Sequence, residues 1–329
     1  MYTDFKIIMK KEIHLSPLIV RFMAFILFLS LSLALLVACG GGDSPPWDIC
    51  FTDALGREVK LSSRPKRVAA LIGSFADVWL LSGGSLCAAA EDAWEDFGLS
   101  PEGAVNIGGA HSPSLELLLA SAPDFVIASA STAANVKMRE PLESAGITVA
   151  YFDVDSFSDY LSMLKICTDI TGRADLYKKN GEDIAGQIEQ IKLSLKEKEI
   201  PEEHKKILLL RAGAGKVKAR GSQGTVLGEL LSDMGCINIA DSDSTILDNL
   251  SIESIIREQP YRIFTVTMGD EQSATASLEE LIYGNAAWSS LSAVREGRLH
   301  IMERELFNLK PNSRWAQAYR RIYEILAEE

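Results

Sequence analysis

Histidine and cysteine are scarce here: the 329 residues hold four His and five Cys, and no pair of cysteines sits at a metal-ligand spacing. That argues against a zinc-type site, in which several His, Cys or carboxylates converge on one ion. Excess positive charge is missing too, with 33 Lys+Arg against 45 Asp+Glu. Taking off the four basic and two acidic residues of positions 1–38 leaves 29 against 43, a net of −14. A chain that acidic does not suit nucleic acid or an anionic membrane surface as a partner. Catalytic signatures are also lacking, with neither G-x-S-x-G nor H-E-x-x-H in the sequence. The segment "RAGAGKVKARG" approaches a phosphate loop but fails it, because Val217 follows Lys216 and Leu210 stands where the first glycine belongs. No catalytic constellation is left, so an enzyme is the less favoured reading.

One long apolar run is present. Phe22 to Ala38, 17 residues, lies at the short edge of what crosses a ~30 Å hydrocarbon core. Lys6, Lys10, Lys11 and Arg21 precede it, small residues follow, and no basic stop-transfer cluster lies beyond, which is the layout of a secretory signal. Leu36-Val37-Ala38-Cys39 resembles the lipobox of bacterial lipoproteins. The resemblance implies a signal peptide over 1–38, lipidation at Cys39, a tether over 39–50, and a protein lipid-anchored to the cell membrane on its extracytoplasmic face. Of the later cysteines, Cys87, Cys167 and Cys236 sit in apolar contexts; buried free thiols are the default reading, while a disulfide among Cys50, Cys87, Cys167 and Cys236 stays open.

From Phe51 onward a short hairpin, "FTDALGREVKL", gives way to apolar runs alternating with helical stretches. That pattern is the mark of parallel sheets built from βα units. "RVAALIG", "LCAAAE", "VNIGG", "FVIAS" and "ITVAYF" predict the strands of a first lobe (51–172), and "ILLLRA", "IFTVTM" and "LHIM" those of a second (201–329). Between them, 173–199 is charged and free of proline, with Leu176, Ile184, Ile188, Ile191 and Leu195 at helical spacing. One long helix joining two α/β lobes, closed by Pro201, is the expected connection over 173–200. Trp288 and Trp315 read as core.

An internal repeat links the lobes. "SLELLL" from Ser114 and "SIESII" from Ser251 each place a Glu two residues after the Ser, and a Pro and a strand follow seven residues after that Glu. Ser suits the helix N-cap and Glu the first turn, where the helix dipole favours an anion. Good helix starts alone account for Glu116 and Glu253; so does a shared external role.

The stretches "TDALGREVKLSSRPKRVAALIGSFADVWLLSGG", "NIGGAHSPSLELLLASAPDFVIAS", "LESAGITVAYFD", "TGRADLY", "GTVLGELLSDMGCINIAD", "LSIESIIREQPYRIF" and "AAWSSLSAVREGRLHIM...LKPNSRWAQAYRRIYEIL", in that order and spacing, carry a resemblance over Asp53 to Leu326. The chain resembles the substrate-binding lipoproteins of ABC importers for cobalamin, haem and ferric siderophores. The resemblance implies two α/β lobes joined by a long helix, a ligand cleft between them, a monomer, a permease and its ATPase as partners, and no cofactor of its own. It also implies that Glu116 and Glu253 dock against permease arginines. Ligands of open α/β sheets lie beyond the carboxyl ends of the strands. That rule selects Trp94, His111, Ser129, Arg211, and the loop after "LHIM" with Arg304 and Phe307. A Trp for stacking, a His and two Arg suit a bulky metal-chelate ligand. The alternatives are a bare transition-metal ion as cargo, a lipoprotein enzyme, or a scaffold with no cleft.

Overall fold

The computed structural model describes residues 48–328. The chain divides into Met1–Asp48 and a compact unit, Ile49–Glu329, and every described strand and helix belongs to the second. The expected signal peptide, Cys39 and most of the tether therefore lie outside the described residues. No described helix is long and apolar enough to cross a membrane.

Twelve strands are described: β1 (Ile49–Thr52), β2 (Glu58–Leu61), β3 (Val68–Ala70), β4 (Leu86–Ala89), β5 (Val105–Asn106), β6 (Phe125–Ser129), β7 (Thr148–Phe152), β8 (Lys206–Gly213), β9 (Lys216–Arg220), β10 (Ile237–Asn238), β11 (Arg262–Thr267) and β12 (Leu299–Met302). Every residue of β3, β6 and β11 is buried, as parallel strands covered by helices on both faces require. The first sheet runs β5-β4-β3-β6-β7, all parallel. In the second, β10-β8-β11-β12 are parallel and β9 adds antiparallel to β8. The chain is thus an α/β fold with two central, mainly parallel sheets. β9 is not among the strands expected from the sequence: the segment that nearly matched a phosphate loop is a hairpin, Arg211 facing Lys218 across it.

In each sheet the first strand is central and later strands build outward on both sides. Strand order therefore reverses between β3 and β6, and again between β8 and β11. The β1–β2 hairpin docks beside β7, where Ala54 N donates to Tyr151 O at 2.8 Å and Arg57 Nη2 to Val149 O at 3.0 Å.

Between the sheets the chain is helical from Ala174 to Lys196, with a π-helical turn at Lys178–Glu182. That turn coincides with side-chain anchoring: Asn180 Nδ2 donates to Leu81 O at 2.9 Å and the Tyr160 hydroxyl to Asn180 O at 2.8 Å. Ile184, Ile188, Ile191 and Leu195 are buried, and the C-terminal helix Trp315–Ala327 packs along this segment. Trp288 and Trp315 are both core residues, as read from the sequence.

Candidate ligand-binding site

The carboxyl ends of β4, β5, β6, β8 and β12 hold the residues selected from the sequence. After β4 the chain turns into the short helix Asp92–Glu95. Asp92 Oδ2 accepts from Gly73 N at 2.8 Å, tying this turn to the one that follows β3. The approach is so close that a Cβ on Gly73 would sit 2.6 Å from Ala93 N, which excludes any larger residue. Trp94 is half-buried on this helix. Burial pushes the Asp92 carboxyl above its ordinary value, with Asp96 adding to the shift and His111 opposing it, so these three groups form one electrostatic neighbourhood. His111 is exposed on the loop after β5 and borders a cavity of about 500 Å³ between that loop and Ala133–Met138.

Two of the expected contact residues are buried. Ser129, 2% exposed, donates its backbone N–H to Asn135 Oδ1 at 3.0 Å, and its hydroxyl is engaged with Ser131 and Thr132. Phe307 is 1% exposed. Neither presents a surface to a ligand in this conformation: the first is consumed by its own loop and the second by packing.

Arg211, at the carboxyl end of β8, is half-buried, and its Nε is buried with no hydrogen-bond partner. Burial pushes this guanidinium below its ordinary value and the nearby Arg220 adds to the effect, while Asp155 opposes it. Asp155 itself is bound by Lys310 at 2.7 Å. Arg304, after β12, forms a two-pronged ion pair with Asp96 at 2.8 and 3.1 Å, joining residues on the two sheets. Asn312 Nδ2 reaches Ser74 O at 2.9 Å and Asp77 Oδ2 at 2.8 Å. Segment 304–312 thus fastens the second sheet's loops to the first. Asp96, Asp155, Lys310 and Asn312 were not selected from the sequence, since only their long-range partners mark them.

The repeated module takes one form in both copies. Ser114 caps Leu115–Ala120 by accepting from Leu117 N, and Ser251 caps Ile252–Glu258 by accepting from Ser254 N. Glu116 and Glu253 are both exposed in the first turn. Ala122 and Gln259, at φ 45° and 48°, immediately precede the prolines.

An apolar cavity of about 430 Å³ lies elsewhere, lined by Leu193, Ile200, Met234, Cys236 and Leu326 among others. These residues adjoin the amino ends of β8 and β10, the side of the sheet opposite to where ligands of such folds bind. No three His, Cys, Asp or Glu among the described residues are grouped to hold a metal ion.

Comparison with known proteins gives one family model, periplasmic binding protein, matching residues 68–306. The lipoprotein YhfQ of Bacillus subtilis (strain 168), named for substrate binding in an ABC transporter, is 23% identical over 82% of this chain and 86% of its own. SirA of Staphylococcus aureus, solved with staphyloferrin B, superposes with a TM-score of 0.66 at 19% identity, covering 84% of this chain and 98% of that one. IsdE of S. aureus, solved with haem, gives 0.65 at 15% identity, covering 79% and 98%. The family match spans well over half of the sequence and the strand order agrees with a two-lobe α/β architecture, so the chain belongs to the periplasmic binding protein family.

Proposed function

We propose that this protein is the substrate-binding component of an ABC importer. In this reading it captures a bulky metal chelate, a ferric siderophore, haem or cobalamin and by preference an anionic one, between lobes 51–172 and 201–329 and delivers it to a permease driven by a separate ATPase. It does no chemistry itself. The observation that carries the cargo reading is Arg211: a half-buried guanidinium, at the point where the second sheet's strand order reverses, with a buried donor left unpaired. An unmatched, partly desolvated cation there is matched best by an anionic ligand, because charge-assisted hydrogen bonds to it contribute ~1.5–3 kcal/mol. Trp94 and His111 on the opposing lobe supply a stacking face and a polar contact. The names of two relatives, one solved with staphyloferrin B and one with haem at nearly equal structural similarity, support the class of cargo rather than one compound.

Titrating the purified protein with ferric siderophores, haem, cobalamin and free metal ions, followed by tryptophan fluorescence, tests the reading. Submicromolar binding of a free sugar, an amino acid or a bare ion, with none of the chelates bound, would sink it. Anchoring through a lipid on Cys39 holds the protein on the extracytoplasmic face, and a mature N-terminus without acyl groups in mass spectrometry refutes that part.

A further inference from the structure

Arg304 and Asp96 are 208 positions apart in sequence, on loops of different sheets, and they meet in the two-pronged geometry that a guanidinium adopts with a carboxylate ligand. Their side chains are only 27% and 23% exposed, so water screens the pair less than it screens a surface ion pair. The contact uses both oxygens of Asp96 and leaves one donor of Arg304 over. Arg304 Nε is buried without a partner, and Asp92 Oδ1, in the same carboxylate neighbourhood, is buried without one as well. Glu305 and Glu271 also contribute favourable attraction to Arg304, so the guanidinium lies in an acidic surround.

We infer that Asp96 is a specificity-determining residue: its carboxylate occupies the Arg304 fork, and it admits only a ligand whose own anionic groups displace it. The inference rests on the anionic-cargo reading above. A single weak anion gains little, because it exchanges one two-pronged contact for another and releases Asp96 beside Asp92, where like charges repel. A polyanionic chelate offers more acceptors than Asp96 does, so it replaces both contacts to Arg304 and keeps acceptors for other donors of the site. Asp96 therefore sets a threshold on ligand charge.

The test compares the wild type, Asp96→Asn, Arg304→Gln and the double variant as detergent-purified full chains, titrated calorimetrically with ferric citrate and, separately, with acetate as a monoanion. Asp96→Asn keeps the shape of the side chain and removes its charge. The expected result is roughly five- to tenfold tighter binding of ferric citrate by Asp96→Asn, about 1.0–1.4 kcal/mol. That gain should vanish in the Arg304→Gln background, and in Asp96→Asn the preference over acetate should narrow. Binding by Asp96→Asn equal to or weaker than wild type overturns the inference. Should no variant bind ferric citrate, the cargo reading fails for that chelate and hydrogen exchange of the ligand-free proteins decides the clasp. Faster exchange in both 92–96 and 303–307 of Asp96→Asn upholds it; unchanged exchange overturns it.

Discussion

Replacing Arg211 by Met should make the ligand-free protein more stable and the binding protein worse. Met keeps most of the aliphatic stem, so the apolar contacts of the side chain survive, while the guanidinium and its buried, unpartnered Nε are removed. A buried donor without a partner costs about 1–3 kcal/mol. The rest of the group reaches water, so the low end, about 1 kcal/mol, applies. The lost attraction to Asp155 offsets a few tenths of a kcal/mol at most, as for other partly solvated pairs, and the lost repulsion from Arg220 acts in the opposite sense. A net gain near 1 kcal/mol corresponds to a rise in Tm of about 2 °C for a chain of this length. In the same variant, affinity for a ferric siderophore should fall by roughly tenfold, since one charge-assisted contact is gone. Calorimetric unfolding of the two ligand-free proteins and a fluorescence titration of each supply both numbers. A fall in Tm would show that Arg211 is satisfied within the fold, and unchanged affinity would show that no ligand meets it.

His300 should give the protein a stability loss on the acid side. Burial lowers its pKa from the ordinary 6.5, with Arg262 adding to the effect, and its Nε2 has no partner. The unfolded chain thus takes up the proton first: the stabilising term is complete above the ordinary value and is lost as pH falls from there toward the folded-state value. His300→Gln should flatten urea-unfolding midpoints between about pH 7.5 and 5.5, and an unaltered slope would assign the loss to other groups. Reversing both module charges, Glu116→Arg with Glu253→Arg, should leave folding and ligand affinity intact, because both side chains are exposed, and should abolish delivery in reconstituted vesicles. Undiminished transport would reduce the two residues to helix starts.

The sequence by itself determined the parts of this protein that depend on near neighbours. Buried parallel strands must be continuously apolar, so "FVIAS" and "ILLL" were legible as strands. N-caps and first-turn acids act within four residues, so the paired modules at Ser114 and Ser251 were legible too. The spacing of Ile184, Ile188, Ile191 and Leu195 marked the buried stripe of the joining helix, though not the π turn, which is accompanied by a hydrogen bond from Asn180 to Leu81 across 99 positions. Only the tertiary structure decided the strand orders, and with them where the two reversals fall. It also decided the fates of the chosen side chains. Ser129 and Phe307 stand at the right ends of their strands yet turn inward, and Arg211 lacks a partner while Arg304 has one in Asp96. Local periodicity places a residue on a strand or helix, but whether its side chain meets solvent, a ligand or a distant carboxylate depends on which other segments pack against it, and no short-range pattern encodes that.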